Sequence, residues 1–117
     1  MGSNSRRGDG SSVWRARCTW DLVEDVPVVS AAGRLGSVSA RDLARTLAEA
    51  ASARVPGLAI DLSEVDYISS PCVGVIERAA LEMATAYQIL VLCGLAEPVR
   101  LTLQLSGLLS RLAVEPS

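Results

Sequence analysis

The sequence predicts a mixed α/β fold whose sheet begins as an antiparallel hairpin and continues through parallel βαβ units. Three observations predict it. Two strand-like runs near the N-terminus are separated only by Glu24-Asp25. Two later apolar runs, Leu58–Leu62 and Gln88–Leu92, are too short for helices and suit buried strands. Segments with helical spacing of apolar residues follow the second strand and each of these runs, and that order builds parallel crossovers with helices covering the sheet.

Residues 1–12 are Gly, Ser, Asn, Arg and Asp with no apolar anchor, the composition of a disordered tail. Residues 13–117 are expected to form one domain. From Trp14 the chain alternates, with Trp14, Ala16, Cys18, Trp20 and Leu22 on one face and Arg15, Arg17, Thr19 and Asp21 on the other, as a half-buried strand does. Val26 to Ala32 is the second strand, with Pro27 tolerated near its start. Ser39, with Asp42 three residues later, reads as a capping box opening a helix from about Ala40 to Ala53 that turns Leu43, Leu47 and Ala50 inward. Val55-Pro56-Gly57 breaks the chain before the strand at 58–62. A polar connection then leads to Ser70-Pro71, a cap and first-turn pair for a helix reaching about Ala86 with Val73, Ile76 and Ala80 inward. Glu97-Pro98 starts the last helix, bearing Leu101, Leu105 and Leu108 as its apolar residues, with Gly107 weakening or ending it. Leu109 to Val114 reads as a final turn or short edge segment.

Half of the residues are hydrophobic, yet Phe is absent and only two Trp and two Tyr occur, so the core is one of Leu, Val and Ala. Net charge is −2 with both signs interspersed, which offers no basic stripe for nucleic acid. His and Lys are both absent. That removes histidine-based nucleophilic catalysis, histidine metal sites, a P-loop lysine and Schiff-base chemistry, so an enzyme is not expected and no cofactor or metal is implied. Cys18, Cys72 and Cys93 form neither a metal spacing nor a disulfide framework. With no signal-peptide stretch and no run long enough to span a membrane, the expected setting is the cytoplasm.

The most informative stretch places Ser69 and Ser70 where a strand's C-terminal end meets a helix N-terminus. Open α/β sheets put their working sites there, and helix N-termini tolerate anions. Together with Pro27-Val28-Val29, Gly33-Arg34-Leu35, the block Ile60-Asp61-Leu62-Ser63-Glu64-Val65-Asp66-Tyr67-Ile68-Ser69-Ser70 and the later Leu90-Val91-Leu92-Cys93-Gly94, this pattern resembles the STAS domain family over residues 13–114. That family comprises bacterial anti-sigma factor antagonists and regulatory domains of some transporters. The resemblance implies a STAS-like mixed sheet and makes Ser70 the phosphorylation candidate, because Ser69-Ser70-Pro71-Cys72 stands where the family reads Asp-Ser-Ser-Gly. Gly33-Arg34-Leu35-Gly36 replaces the family's Gly-x-Leu-Asp, so both acidic residues of the usual switch are missing.

The resemblance implies a partner with the ATP-binding fold of serine-kinase anti-sigma factors, whose capture would free a sigma factor. The expected contact surface is Ser69, Ser70, Pro71 and Cys72, continued along a helical stripe by Val75 and Ala79, with Arg34 either a solvated loop charge or a partner contact. The alternative is a non-phosphorylated STAS subunit regulating a transporter or a larger sensory assembly; a homodimer is compatible with either. Cys72, with Cys93 closing the next strand at the same end of the sheet, is a redox candidate if the thiol is accessible, and otherwise a small packing residue.

Overall fold

A computed structural model describes residues 17–53, 56–108 and 113–115. Among them run β1 (Arg17–Val23), β2 (Val26–Leu35), a 3-10 turn (Ser37–Ser39), α1 (Ala40–Ala51), β3 (Gly57–Ile68), α2 (Ser70–Thr85), β4 (Ile89–Cys93), α3 (Glu97–Ser106) and β5 (Ala113–Glu115). The predicted tail and the first residues of the predicted β1, Trp14 to Ala16, lie outside the described residues. β1 and β2 close an antiparallel hairpin through Glu24 and Asp25, both at positive φ (51° and 68°), the conformation a two-residue turn needs to match strand twist.

The sheet order is β1-β2-β3-β4-β5, and every pair after the hairpin is parallel. Each crossover advances to the next strand in the same direction, and right-handed crossovers of that kind put all the helices on one face. Burial agrees. Val29, Ile60 and Leu92, neighbours across β2, β3 and β4, are fully buried beneath Leu43, Ile76 and Leu103 of the three helices. Their alternates Val28, Ala59 and Val91 are only half-buried, on the face without helices.

Four expectations need correction. The polar connection after Leu62 is strand: β3 runs on to Ile68, and shifts in its register with β2 let Val65 and Ile68 turn inward although strict alternation fails. The Ser39–Asp42 capping box does not form. The 3-10 turn brings Ser39 into helical conformation before α1 starts, its hydroxyl caps nothing, and Asp42 instead pairs with Arg45 at 2.9 Å. On α3 the buried face is Val99 and Leu103, whereas Leu101 and Leu105 are 49% and 88% exposed. Val-Arg-Leu-Thr-Leu-Gln-Leu offers two stripes with the same four-residue spacing, and contact with the sheet decides between them. On β1, Leu22 expected inward is 51% exposed beside the turn, while Cys18 and Trp20 pack against the core as expected.

Helix ends follow local chemistry. α2 stops in a Schellman arrangement, with the Gln88 amide donating to the Met83 carbonyl (2.8 Å) and the Tyr87 amide to Ala84 (3.1 Å). The left-handed position is held by Tyr87 (φ 60°) where glycine is usual. α3 ends on Gly107 at φ 84°, as its sequence position suggested.

Candidate functional site

β3 delivers the chain to the start of α2 at the end of the sheet where its parallel strands finish. Ser69 is extended (φ −88°, ψ 162°); its amide donates to the Leu35 carbonyl (2.8 Å) and its carbonyl accepts from Val73 (3.0 Å). These bonds make Ser69 the N-cap, so the expected cap at Ser70 shifts by one residue. Ser70 becomes the first helical residue and Pro71 the second. The Ser70 side chain is therefore free of capping duty and exposed, as is Pro71. The Ser69 hydroxyl is buried without a hydrogen-bond partner.

Cys72 does not lie on the docking stripe. It is fully buried, and its thiol donates to the Gly36 carbonyl at 3.3 Å, joining the β2–α1 loop to the start of α2. Burial pushes the Cys72 thiol up, and neighbouring Ser69 only partly offsets it, the opposite direction to the lowering that a helix start would give an accessible thiol. Nor does Cys72 face Cys93. Cys93 alternates with the buried Leu92 and so points to the helix-free face, its thiol reaching the Ile60 carbonyl at 3.4 Å. The redox pairing is corrected for that reason: alternation along β4 sends the two sulfurs to opposite sides of the sheet. Cys18 is the thiol that feels the charge of Cys72: it is raised from 9.0 to about 12, first by burial, then by Asp42 and Cys72, against a lowering by Arg45. Cys18, Cys72 and Cys93 form no disulfide with one another.

Val75 and Ala79 are half-buried, and with Pro71 they form one wall of a groove of about 450 Å3 between α2 and α1. Ala44, Leu47, Ala48 and Ala51 form the other wall, and Gly74, Arg78 and Glu82 lie along the α2 side. Sequence reasoning missed the α1 wall, because which faces of two helices meet depends on their packing. It also missed two exposed side chains near Ser70. Val38 is 68% exposed on the 3-10 turn that packs against α2, and an apolar residue amid Gly36-Ser37 and Ser39 was the available signal. Tyr67 is 39% exposed, and Arg34, its partner across β2 and β3, lies 4.0 Å over its ring. Arg34 is thus held in a cation–π contact rather than freely solvated.

The site presents a hydroxyl at a helix start, one cation on an aromatic ring, and an apolar groove. No carboxylate stands at 36 or at 69–72. Among the described residues no group of three or more His, Cys, Asp or Glu is placed to hold a metal ion, and no helix is long and apolar enough to cross a membrane. A phosphate on Ser70 would meet the positive end of the α2 dipole, although Pro71 withholds one amide from it.

A family model described as Mlab, STAS domain, matches residues 18–113. No curated protein matches by sequence. An anti-sigma factor antagonist from Mycobacterium paratuberculosis superposes with a TM-score of 0.80 at 20% identity, covering 88% of this chain and 87% of that one. RsbS of Moorella thermoacetica gives 0.71 at 22% identity, over 86% and 87% of the two chains. The Bacillus cell-fate determinant SpoIIAA, in its phosphorylated form, gives 0.66 at 14% identity, over 86% and 93%.

Proposed function

Because the chain belongs to the STAS domain family, we propose that it is a protein-binding regulator of the anti-sigma factor antagonist kind. It docks through the start of α2 onto an anti-sigma factor with a serine-kinase-like ATP-binding fold, and so frees a sigma factor. The observation that carries this reading is the continuity of one surface. Exposed Ser70 and Pro71 lead directly into the α1–α2 groove through Val75 and Ala79, with Val38 on the adjoining turn. An aromatic with a bound cation, Tyr67 under Arg34, adds the kind of side chain that anchors interfaces. Solved structures of the same fold include an anti-sigma factor antagonist and a phosphorylated SpoIIAA, which supports the partner class and a phosphoacceptor at Ser70.

In this reading Ser70 is the switch. Phosphorylation adds about −1.5 to −2 charges on an exposed residue whose hydroxyl the fold does not use. The helix dipole stabilises the phosphate by roughly 0.3–1 kcal/mol, so the domain stays folded and the cost falls on the interface. Val75→Arg, which puts a cation into the groove, is expected to weaken partner binding by about 2 kcal/mol or more without unfolding the chain. Isothermal calorimetry with the purified partner reads it, and unchanged affinity of a folded variant rules out this surface. Ser70→Ala should keep binding, Ser70→Asp should reduce it, and intact-mass analysis after incubation with partner and ATP should show one added phosphate on Ser70.

A second reading, a non-phosphorylated STAS subunit of a transporter or larger sensory assembly, is favoured by Gly36 and Ser69 where the family carries acids and by Pro71 beside the acceptor. It keeps the same groove and removes the switch. Partner-dependent binding without any phosphate on Ser70 selects it.

A further inference from the structure

We infer that the pole of the domain opposite the α2 start carries a second docking surface, for a cationic amphipathic segment of a partner protein. This surface is independent of the Ser70 reading. Strands β2, β3 and β4 are parallel, so their first residues share one end of the sheet with the β1–β2 turn. On the helix-free face at that end, alternation with the buried core residues lines up Val26, Val28, Ala59, Ile89 and Val91. Val26 and Ile89 are 44% and 61% exposed, and Val23, paired with Val26 across the hairpin, is 54% exposed. Strands apolar on both faces belong to sheets covered on both faces, yet the described helices cover one. The apolar area also has a limit: the next row toward the other pole is Thr19, Ser30 and Asp61.

Charge says what covers it. Asp21 stands across from Val28, and Glu24 and Asp25 form the turn beside Val23 and Val26; all three acids are exposed, and none makes an ion pair among the described residues. Such a rim repels nucleic acid and anionic lipid. It also opposes a two-fold pairing of copies through the same patch, which would bring like charges together. A partner segment with apolar side chains flanked by Lys or Arg satisfies both the patch and its rim. Tyr87 lies at the same pole, two residues before Ile89, 94% exposed in a left-handed conformation that disfavours side chains. A bulky ring retained there at a conformational cost fits an interface anchor better than a helix terminator.

The test is an NMR titration of the isotopically labelled full chain with a synthetic helical peptide bearing a Leu face and a Lys face, alongside its Leu–Glu counterpart. The expected result is saturable binding of the Leu–Lys peptide alone, with shifts centred on Val23, Val26, Ile89 and Val91. The paired change Glu24→Gln with Asp25→Asn, and separately Ile89→Ser, should each weaken it about fivefold or more. Both sets of positions are exposed, so thermal melts of the variants should stay close to the parent. Shifts centred on the α2 start or the α1–α2 groove overturn the proposal, as do equal binding of both peptides or no saturable binding. Protection of the patch by a concentration-dependent dimer, or by residues 1–16 as shown by deleting them, overturns it too.

Discussion

Gly94 tests how closely the β4–α3 connection presses on β3. It has φ +70°, and a Cβ built on it would lie 2.7 Å from the Ser63 Cβ, 2.8 Å from Asp61 Oδ1 and 3.1 Å from the Ser63 Cα. Two penalties therefore fall on Gly94→Ala. A left-handed L-residue costs roughly 1 kcal/mol or more. The clash adds about 1–3 kcal/mol, because the Ser63 Cα is backbone and cannot rotate away, and the Asp61 carboxylate is held by the Ser63 amide at 2.9 Å. Gly107→Ala isolates the first penalty, since Gly107 has φ +84° but nothing within 4 Å of a Cβ. The expected losses are roughly 2–4 kcal/mol for Gly94→Ala and about 1 kcal/mol for Gly107→Ala. Urea unfolding of both variants measures them. In thermal melts, at about 4–8 °C per kcal/mol for a domain of this size, Gly94→Ala should fall at least 8 °C. Equal losses would refute the reasoning, because the close approach would then contribute nothing.

Other outcomes follow from the same geometry. Gly74 sits inside α2 with open space at its Cβ and lines the groove; Gly74→Ala should raise stability by about 0.5–1 kcal/mol in urea unfolding while lowering partner affinity, a split that a purely structural groove would not show. Tyr87→Gly should raise stability by about 0.5–1 kcal/mol by relieving the left-handed conformation, read by thermal melting. Cys18 ionises near 9.0 when unfolded and near 12 when folded, so above pH 9 the unfolded state loses its proton first. Stability should therefore fall as pH rises from 9 towards 12, and Cys18→Ala should flatten that decline. Native alkylation at pH 8 should leave Cys72 unlabelled, and rapid labelling contradicts its burial; half-buried Cys18, its thiol pushed up to about 12, should label only slowly.

The fold was legible because local signals agreed with one another. Glu24-Asp25 between two strand-like runs, and the apolar five-residue stretch at 58–62, led to the hairpin and the first parallel crossover without tertiary knowledge. The errors on α3 and β3 share a cause: each involved a choice that only neighbouring elements resolve. Leu101 or Leu103 on α3, and strand or loop for Ser63 to Ile68, are equal locally and become unequal against the sheet. At the site, the chemistry of Ser69 to Cys72 was readable, but its directions were not. A one-residue shift of the cap freed Ser70 and buried Cys72, and the α1 wall of the groove came from packing alone. Arg34 and Tyr67 lie 33 residues apart in the chain, and only the register of two parallel strands brings the guanidinium over the ring.

Chain order and spatial order coincide in this sheet, from β1 at one edge to β5 at the other. During synthesis, each emerging strand can add to the margin completed just before it, so no earlier strand need part to admit a later one. Each closure spans one crossover, which keeps loop-closure entropy small and favours rapid folding for a sheet with so many parallel pairings. The nascent domain meanwhile always shows one incomplete margin, first β2, then β3, then β4. Unpaired strand margins invite wrong partners, so the short strand β5, the last to arrive, matters to a newly made chain for the β4 margin it seals.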